Sequence, residues 1–296
     1  VLVTNGGKQA LYNLFQVLLD PGDEVLLPAP YWLSYPEMAH LAGATVCVLP
    51  TAPDQGFRLQ PDQLEAAITA NSKLLVINSP SNPSGLVLSR QELEQLAAVL
   101  RRHPQVAVVS DEIYEFLLAP GLEHHSLAAL APDLADRIFI VNGFAKGWAM
   151  TGWRVGYLAG RKDVIAAASA LQSQSTSNVC TFAQYGALAA ITAARDCVQA
   201  MAQEFNQRRA LLSAGLMALP GLTLQQPEGA FYAFPDISGH GLDSMTFSNR
   251  LLEEQGLAVV PGVAFGDDRC IRLSCAASPA TIDDGLQRLG RFLNGL

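Results

Sequence analysis

The sequence predicts an α/β protein with a mostly parallel central sheet flanked by helices, followed by a smaller C-terminal α+β domain. Three observations carry this. Short runs rich in Val, Ile and Leu alternate with stretches of helical periodicity through most of the chain, as successive strand and helix units do. A long stretch rich in Ala, Leu, Arg and Gln then ends at Pro220-Gly221, where the character of the sequence changes. Finally, 296 residues of which 50% are hydrophobic and 16% charged suffice for one large core or two ordinary ones, and exclude global disorder. The expected division is a large domain over residues 1–205 and a small domain over 206–296.

Val1 is followed almost at once by a Gly6-Gly7 turn with no predicted element ahead to hold it, so the sequence reads as a chain lacking its N-terminal part. From Lys8 to Leu19 the apolar Leu11, Leu14, Phe15 and Leu18 fall at i, i+3, i+4 and i+7, a helical stripe closed by Asp20-Pro21-Gly22. Glu24 to Leu27 reads as a short strand. Further strands are predicted at Lys73 to Asn78, Val106 to Ser110, Arg137 to Asn142 and Val155 to Ala159, with a helix from about Arg90 to Arg102. A long helix spans about Cys197 to Leu219. In the smaller unit, Gly229 to Pro235, Ala258 to Pro261 and Cys270 to Ser274 read as strands, and Ile282 to Leu293 as the closing helix. There is no internal repeat.

Lys plus Arg number 19 against 27 Asp plus Glu, a formal charge of -8, and no basic run could track a phosphate backbone, so no nucleic-acid partner is expected. No apolar stretch reaches the ~20 residues of a membrane span, and no signal peptide opens the chain, which together predict a soluble cytoplasmic protein. The five cysteines form no C-x-x-C pair and read as buried or idle thiols. The histidines have no metal-ligand spacing; His124-His125 reads as a solvated loop, and no metal site is expected.

In open α/β sheets ligands bind beyond the carboxyl ends of the strands. There the sequence places Ser79-Pro80-Ser81-Asn82-Pro83-Ser84-Gly85, Asp111-Glu112-Ile113-Tyr114, Gly143-Phe144-Ala145-Lys146 and, in the next block, Met150-Thr151-Gly152-Trp153-Arg154. Singly, each residue has a plain reading. Lys146 is a surface lysine, Asn82-Pro83 a turn, Asp111 a helix cap, Trp32 a core aromatic, Arg272 a solvated strand residue and Gly6-Gly7 a weak anion site. Their order and spacing together change that reading.

The ordered set resembles the fold type I pyridoxal-phosphate aminotransferases (class I/II), most closely their bacterial-type aspartate aminotransferase subgroup. The matching stretches are Thr4 to Leu11, Pro30 to Pro36, Asn78 to Gly85, Ser110 to Tyr114, Asn142 to Tyr157, Gly229-Ala230-Phe231-Tyr232 and Ile271-Arg272-Leu273-Ser274. They cover essentially the whole chain. One departure is Ala145, where the family usually carries Ser before its lysine.

The resemblance implies an enzyme that uses pyridoxal 5'-phosphate to move the amino group of an acidic amino acid, aspartate or glutamate, to a 2-oxo acid by way of pyridoxamine phosphate. It makes Lys146 the residue that bonds the cofactor and moves the α-proton, and Asp111 the carboxylate that keeps the pyridine nitrogen protonated. Tyr114 and Asn82 match positions that hydrogen-bond the ring 3-hydroxyl, and Trp32 matches the aromatic stacked on the ring. Gly7 and Lys8 at the helix start, with Arg154, match the phosphate site. Arg272 matches the grip on the substrate α-carboxylate, in which Lys is a poor substitute. Lys8 is also similar to a lysine that reaches the distal carboxylate; its plain reading is an exposed lysine in a first turn. By the same resemblance, the missing N-terminal segment completes the small domain, and the full-length protein is a homodimer. Two alternatives stay open. One is the same fold acting on aromatic or neutral amino acids or prephenate, or as a C-S lyase; the other is a non-catalytic sensor domain of a transcription regulator.

Overall fold

The computed structural model describes residues 1–193 and 195–296. Its elements in chain order are β1 (Leu2–Thr4), α1 (Gly7–Leu18), β2 (Glu24–Ala29), α2 (Ser34–Leu41), β3 (Thr45–Pro50), α3 (Pro61–Ala67), β4 (Ser72–Asn78), α4 (Arg90–Arg102), β5 (Ala107–Asp111) and α5 (Leu127–Leu130). They continue as β6 (Ile138–Gly143), β7 (Gly156–Ala159), α6 (Lys162–Ser175), α7 (Thr181–Ala193), α8 (Arg195–Met217), β8 (Tyr232–Ala233), α9 (Ser244–Gln255), β9 (Val260–Pro261), β10 (Ile271–Ser274) and α10 (Pro279–Leu293).

Seven strands form one sheet in the order β1-β7-β6-β5-β4-β2-β3. The pairs from β3 through β2, β4 and β5 to β6 are parallel, while β7 runs antiparallel to both β6 and β1. Because side chains alternate across a strand, near-continuous apolar runs fill both faces. Val25, Leu27, Leu74 and Val76 face a core with Leu11, Leu14 and Phe15 of α1 and Val164 and Ala168 of α6. Leu26, Leu75 and Ile77 face the opposite core, with Leu64 of α3 and Leu93, Leu96 and Leu100 of α4. Each fully buried side chain of this kind contributes about 1.5–3 kcal/mol.

In the C-terminal part β8, β10 and β9 form a small antiparallel sheet. Its core joins Leu212 and Leu216 of α8 to Phe247, Leu251, Ile271, Ile282, Leu289 and Phe292. Helix α8 serves both parts, because Met201 and Ala202 pack beside Tyr114 and Tyr232 instead.

Several sequence readings need correction. An element does precede the Gly6-Gly7 turn: β1 pairs Leu2 with Leu158 and Thr4 with Gly156, so the turn is held by the sheet. The strand expected over 229–235 shrinks to Tyr232–Ala233, and that over 258–261 to Val260–Pro261, because only these residues find a partner strand. Helices α2, α3, α5, α6, α7 and α9 and strand β3 had no counterpart in the reading. Among the described residues no helix is long and apolar enough to cross a membrane. Of the cysteines, Cys270 and Cys275 are buried while Cys180 and Cys197 are exposed.

Candidate active site

The register of the parallel strands sets the site. Asn78 at the end of β4 lies opposite Asp111 at the end of β5, which lies opposite Val141 of β6. The loops leaving β2, β4, β5 and β6, the start of α1, the Thr151–Arg154 turn and two residues of the small sheet then surround a cavity of ≈ 330 Å³. Gly7, Lys8, Trp32, Asn82, Asp111, Tyr114, Lys146, Arg154 and Arg272 all line it, so every residue selected from the sequence is brought to one place.

Asp111 is buried, and no helix begins at it, so the cap reading is set aside. One carboxylate oxygen accepts the Tyr35 hydroxyl at 2.7 Å and the other the Ile113 N–H at 3.3 Å. Burial pushes its pKa up to about 6, against the pull of those bonds and of Lys146. The backbone behind it is tied down by Asn78, whose amide donates to the Asp111 carbonyl and whose side-chain oxygen accepts the Asn82 N–H.

Lys146 is half-buried, not a surface lysine, with its Nζ 5.2 Å from the Phe231 ring centroid and 5.6 Å from that of Tyr114. Burial and the positive charges of Arg272 and Arg154 hold its amine below the ordinary lysine value, against the pull of Asp111. Tyr114 is buried with its hydroxyl 3.0 Å from that of Tyr232, and its pKa is raised, first by burial and then by Tyr232.

Helix α1 starts without a side-chain cap and with no acidic residue in its first turn. Beside this helix start lies Arg154, which stands in the left-handed region at φ 54° and donates to the carbonyls of Thr151 and Asn5. Gly156 allows this approach: a Cβ there would lie 2.6 Å from the backbone of Gly6 and Gly7. An uncapped helix start beside a guanidinium is an anion cradle.

Arg272 is not a solvated strand residue. Its guanidinium lies between the rings of Tyr232 and Phe265, at 4.5 and 4.8 Å, and donates to Asn82 Oδ1 at 2.9 Å. Lys8 is exposed at the rim with its ammonium 4.8 Å from the Trp32 ring centroid, and Trp32 meets Tyr35 edge-on. The lining thus carries four cations, Lys8, Lys146, Arg154 and Arg272, against the single carboxylate of Asp111. Among the described residues none of the four is in an ion pair, in a chain whose net charge is -8. Such a cavity suits a ligand bearing several negative charges.

Sequence reasoning missed Tyr35, Asn78, Tyr232, Phe231 and Phe265. Tyr35 had a signal, standing one helical turn after Trp32, while Phe265 had none. His124 is also a correction: its ring is mostly buried, with Nε2 3.2 Å from Glu112. Glu112 accepts the hydroxyls of Ser110 and Ser126, Glu115 accepts the Asn142 amide, and potential ligand atoms of Glu112, Glu115 and His124 lie within 4.8 Å of one another. Three metal-capable groups therefore meet where none was expected, because the chain returns to Glu112 after the Tyr114 turn.

The family model of aminotransferases of class I and II matches residues 1–289. The chain is 44% identical to the aspartate/prephenate aminotransferase of Cereibacter sphaeroides, over 100% of this chain and 76% of that one. It is likewise 44% identical to the aspartate aminotransferase of Geobacillus stearothermophilus, over 99% of this chain and 76% of the relative. Among solved structures, the aspartate aminotransferase of Thermus thermophilus with maleate superposes with a TM-score of 0.92 at 47% identity, covering 98% of this chain and 75% of that one.

Proposed function

The chain belongs to the aminotransferases of class I and II, and from that premise we propose that it transfers the amino group of aspartate or glutamate to a 2-oxo acid, using pyridoxal 5'-phosphate held around Lys146. The observation that carries this reading is the meeting of Lys146, Asp111 and Arg272 in one cavity with four unpaired cations among the described residues. The cavity fits the cofactor by its donors. An uncapped helix start and Arg154 suit a phosphate, and a buried carboxylate suits a protonated ring nitrogen. Trp32 offers an aromatic face.

When bound, pyridoxal phosphate supplies an aldehyde that condenses with amines and a ring that accepts the electron pair left by the departing α-proton. The remaining work falls to the protein. Lys146 Nζ, held below its ordinary pKa by burial and two guanidinium groups, gives up its proton more readily than an ordinary lysine and would bond the cofactor and carry the α-proton. Asp111, oriented by the Tyr35 hydroxyl, would supply the negative charge that a protonated ring nitrogen needs. Tyr114 and Asn82 line the same cavity, and their hydroxyl and amide would serve the ring oxygen. Arg272, flattened between two rings, offers its fork to the α-carboxylate, and Lys8 is free to leave Trp32 for a distal carboxylate.

A second reading, transfer from or to prephenate, is favoured by the name of the Cereibacter relative, and the same two cations suit a substrate with two carboxylates. That the relatives are named as enzymes favours turnover over a sensing role. The homodimer expected of the full-length protein is supported by α7, which exposes Phe182, Tyr185, Leu188 and Ile191, with Phe182 against Trp153.

The test combines two measurements on the protein loaded with pyridoxal phosphate. Aspartate and 2-oxoglutarate should give oxaloacetate, read by NADH consumption with malate dehydrogenase. Borohydride reduction should fix the cofactor on Lys146 by peptide mapping. Label on another lysine, or no oxaloacetate from labelled protein, would overturn the corresponding half of the reading.

A further inference from the structure

Tyr232 has no part in the chemistry above, yet it touches two of the groups that do. It sits in β8, opposite Ser274 of β10, and is buried. This register places its ring beside Arg272, whose guanidinium carbon is 4.5 Å from the ring centroid. The far end of the same side chain reaches the Tyr114 hydroxyl at 3.0 Å, with the two rings edge to face at 5.9 Å. A leucine here would fill the strand position equally well. A phenol does more, because its ring and its hydroxyl serve different neighbours.

The ring end acts on Arg272. A guanidinium with no carboxylate in ion-pair range among the described residues is held by two aromatic faces and one bond to Asn82 Oδ1. The aromatic faces leave the edge of the fork, where carboxylates bind, unobstructed. The hydroxyl end acts on Tyr114. A phenol has one proton to donate, so if Tyr114 turns its proton into the cavity, the short contact to Tyr232 is satisfied by Tyr232 donating to the Tyr114 oxygen. A donor behind Tyr114 polarises its O–H and makes it a better donor in front.

We propose that Tyr232 is a positioning residue with two separable duties: its ring fixes Arg272 for the substrate carboxylate, and its hydroxyl fixes Tyr114 toward the ring oxygen of the cofactor. This rests on the function proposed above and adds to it a residue that links the substrate grip, on the small sheet, to the cofactor contacts on the large one. Loss of the ring is felt in carboxylate affinity. Loss of the hydroxyl alone is felt at the cofactor.

The two duties separate experimentally. Wild type, Tyr232→Phe and Tyr232→Leu are loaded with pyridoxal phosphate and titrated with maleate, a dicarboxylate that has no amino group to donate, by calorimetry. The pH midpoint of the bound cofactor's visible band is measured in parallel. Tyr232→Phe keeps the ring, so its maleate Kd should stay within about twofold of wild type, while Tyr232→Leu should bind maleate about tenfold more weakly. The midpoint should rise in both variants, because Tyr114 becomes a poorer donor to the ionised ring oxygen.

Tyr232→Phe suffices if the leucine variant does not fold. An unchanged midpoint in it removes the hydroxyl duty, and a tenfold loss of maleate affinity in it removes the ring duty, since the ring is still present. Failure of the function itself shows in the wild type: a protein with no visible band and no maleate binding has no such site, and the role of Tyr232 falls with it.

Discussion

At the scale of single residues, the site divides its charges by task, and two substitutions read the division. Asp111→Asn keeps the shape of the side chain but removes the charge proposed to hold a ring nitrogen protonated. Cofactor uptake should persist while turnover falls on the order of 100-fold or more; turnover near the wild-type rate would reduce Asp111 to a partner for the Tyr35 hydroxyl. Lys8→Ala should cost aspartate about 1.5–3 kcal/mol of transition-state binding and alanine little, because only aspartate has a distal carboxylate. Equal losses for both amino acids, measured as kcat/KM, would move Lys8 from substrate choice to the phosphate or the helix start. The place of both residues in the cavity was legible from the sequence, since their motifs are short and contiguous. Tyr232 was legible only as a letter in Gly229-Ala230-Phe231-Tyr232; its partners Tyr114 and Arg272 stand far away in the chain, and no local pattern encodes a contact of that range.

At the scale of elements, the strands buried on both faces were read well, because runs such as Leu74 to Ile77 have no helical period and end at turn residues. Shorter elements were not. Strand β1 has three residues and owes its existence to pairing with β7, and α7 is apolar nearly all round, which hides its period. The meeting of α1 with β7 is where element geometry becomes chemistry. Gly156 lets the backbone of Gly6 and Gly7 lie against β7, so that the helix start faces Arg154. Gly156→Ala should therefore lower stability by about 1–3 kcal/mol and also weaken pyridoxal phosphate binding, followed by fluorescence titration. A less stable variant with unchanged cofactor affinity would show that the helix start is not the phosphate seat.

At the scale of the whole molecule, the buried charge proposed to serve catalysis opposes folding. The Asp111 carboxyl has a folded pKa of about 6, above its ordinary value of 3.8, so between those values the native state binds more protons than the unfolded chain. The stability this group contributes is therefore lost as pH rises through that window. In cofactor-free protein Asp111→Asn should then be more stable than wild type at pH 7, by about 3 kcal/mol, with the gap closing toward pH 4. Urea unfolding at the two pH values measures it, and a variant less stable at both would contradict the assignment. The position of Arg272 on the small sheet, long after the last strand of the large one, has a further meaning for synthesis. At about 5–20 residues per second a ribosome needs roughly 6–25 s to proceed from Lys146 to Arg272. For nearly all of that interval, once Arg154 has followed Lys146, the nascent chain carries the residues proposed to hold the cofactor and still lacks the proposed carboxylate grip, so synthesis completes one set of contacts well before the other.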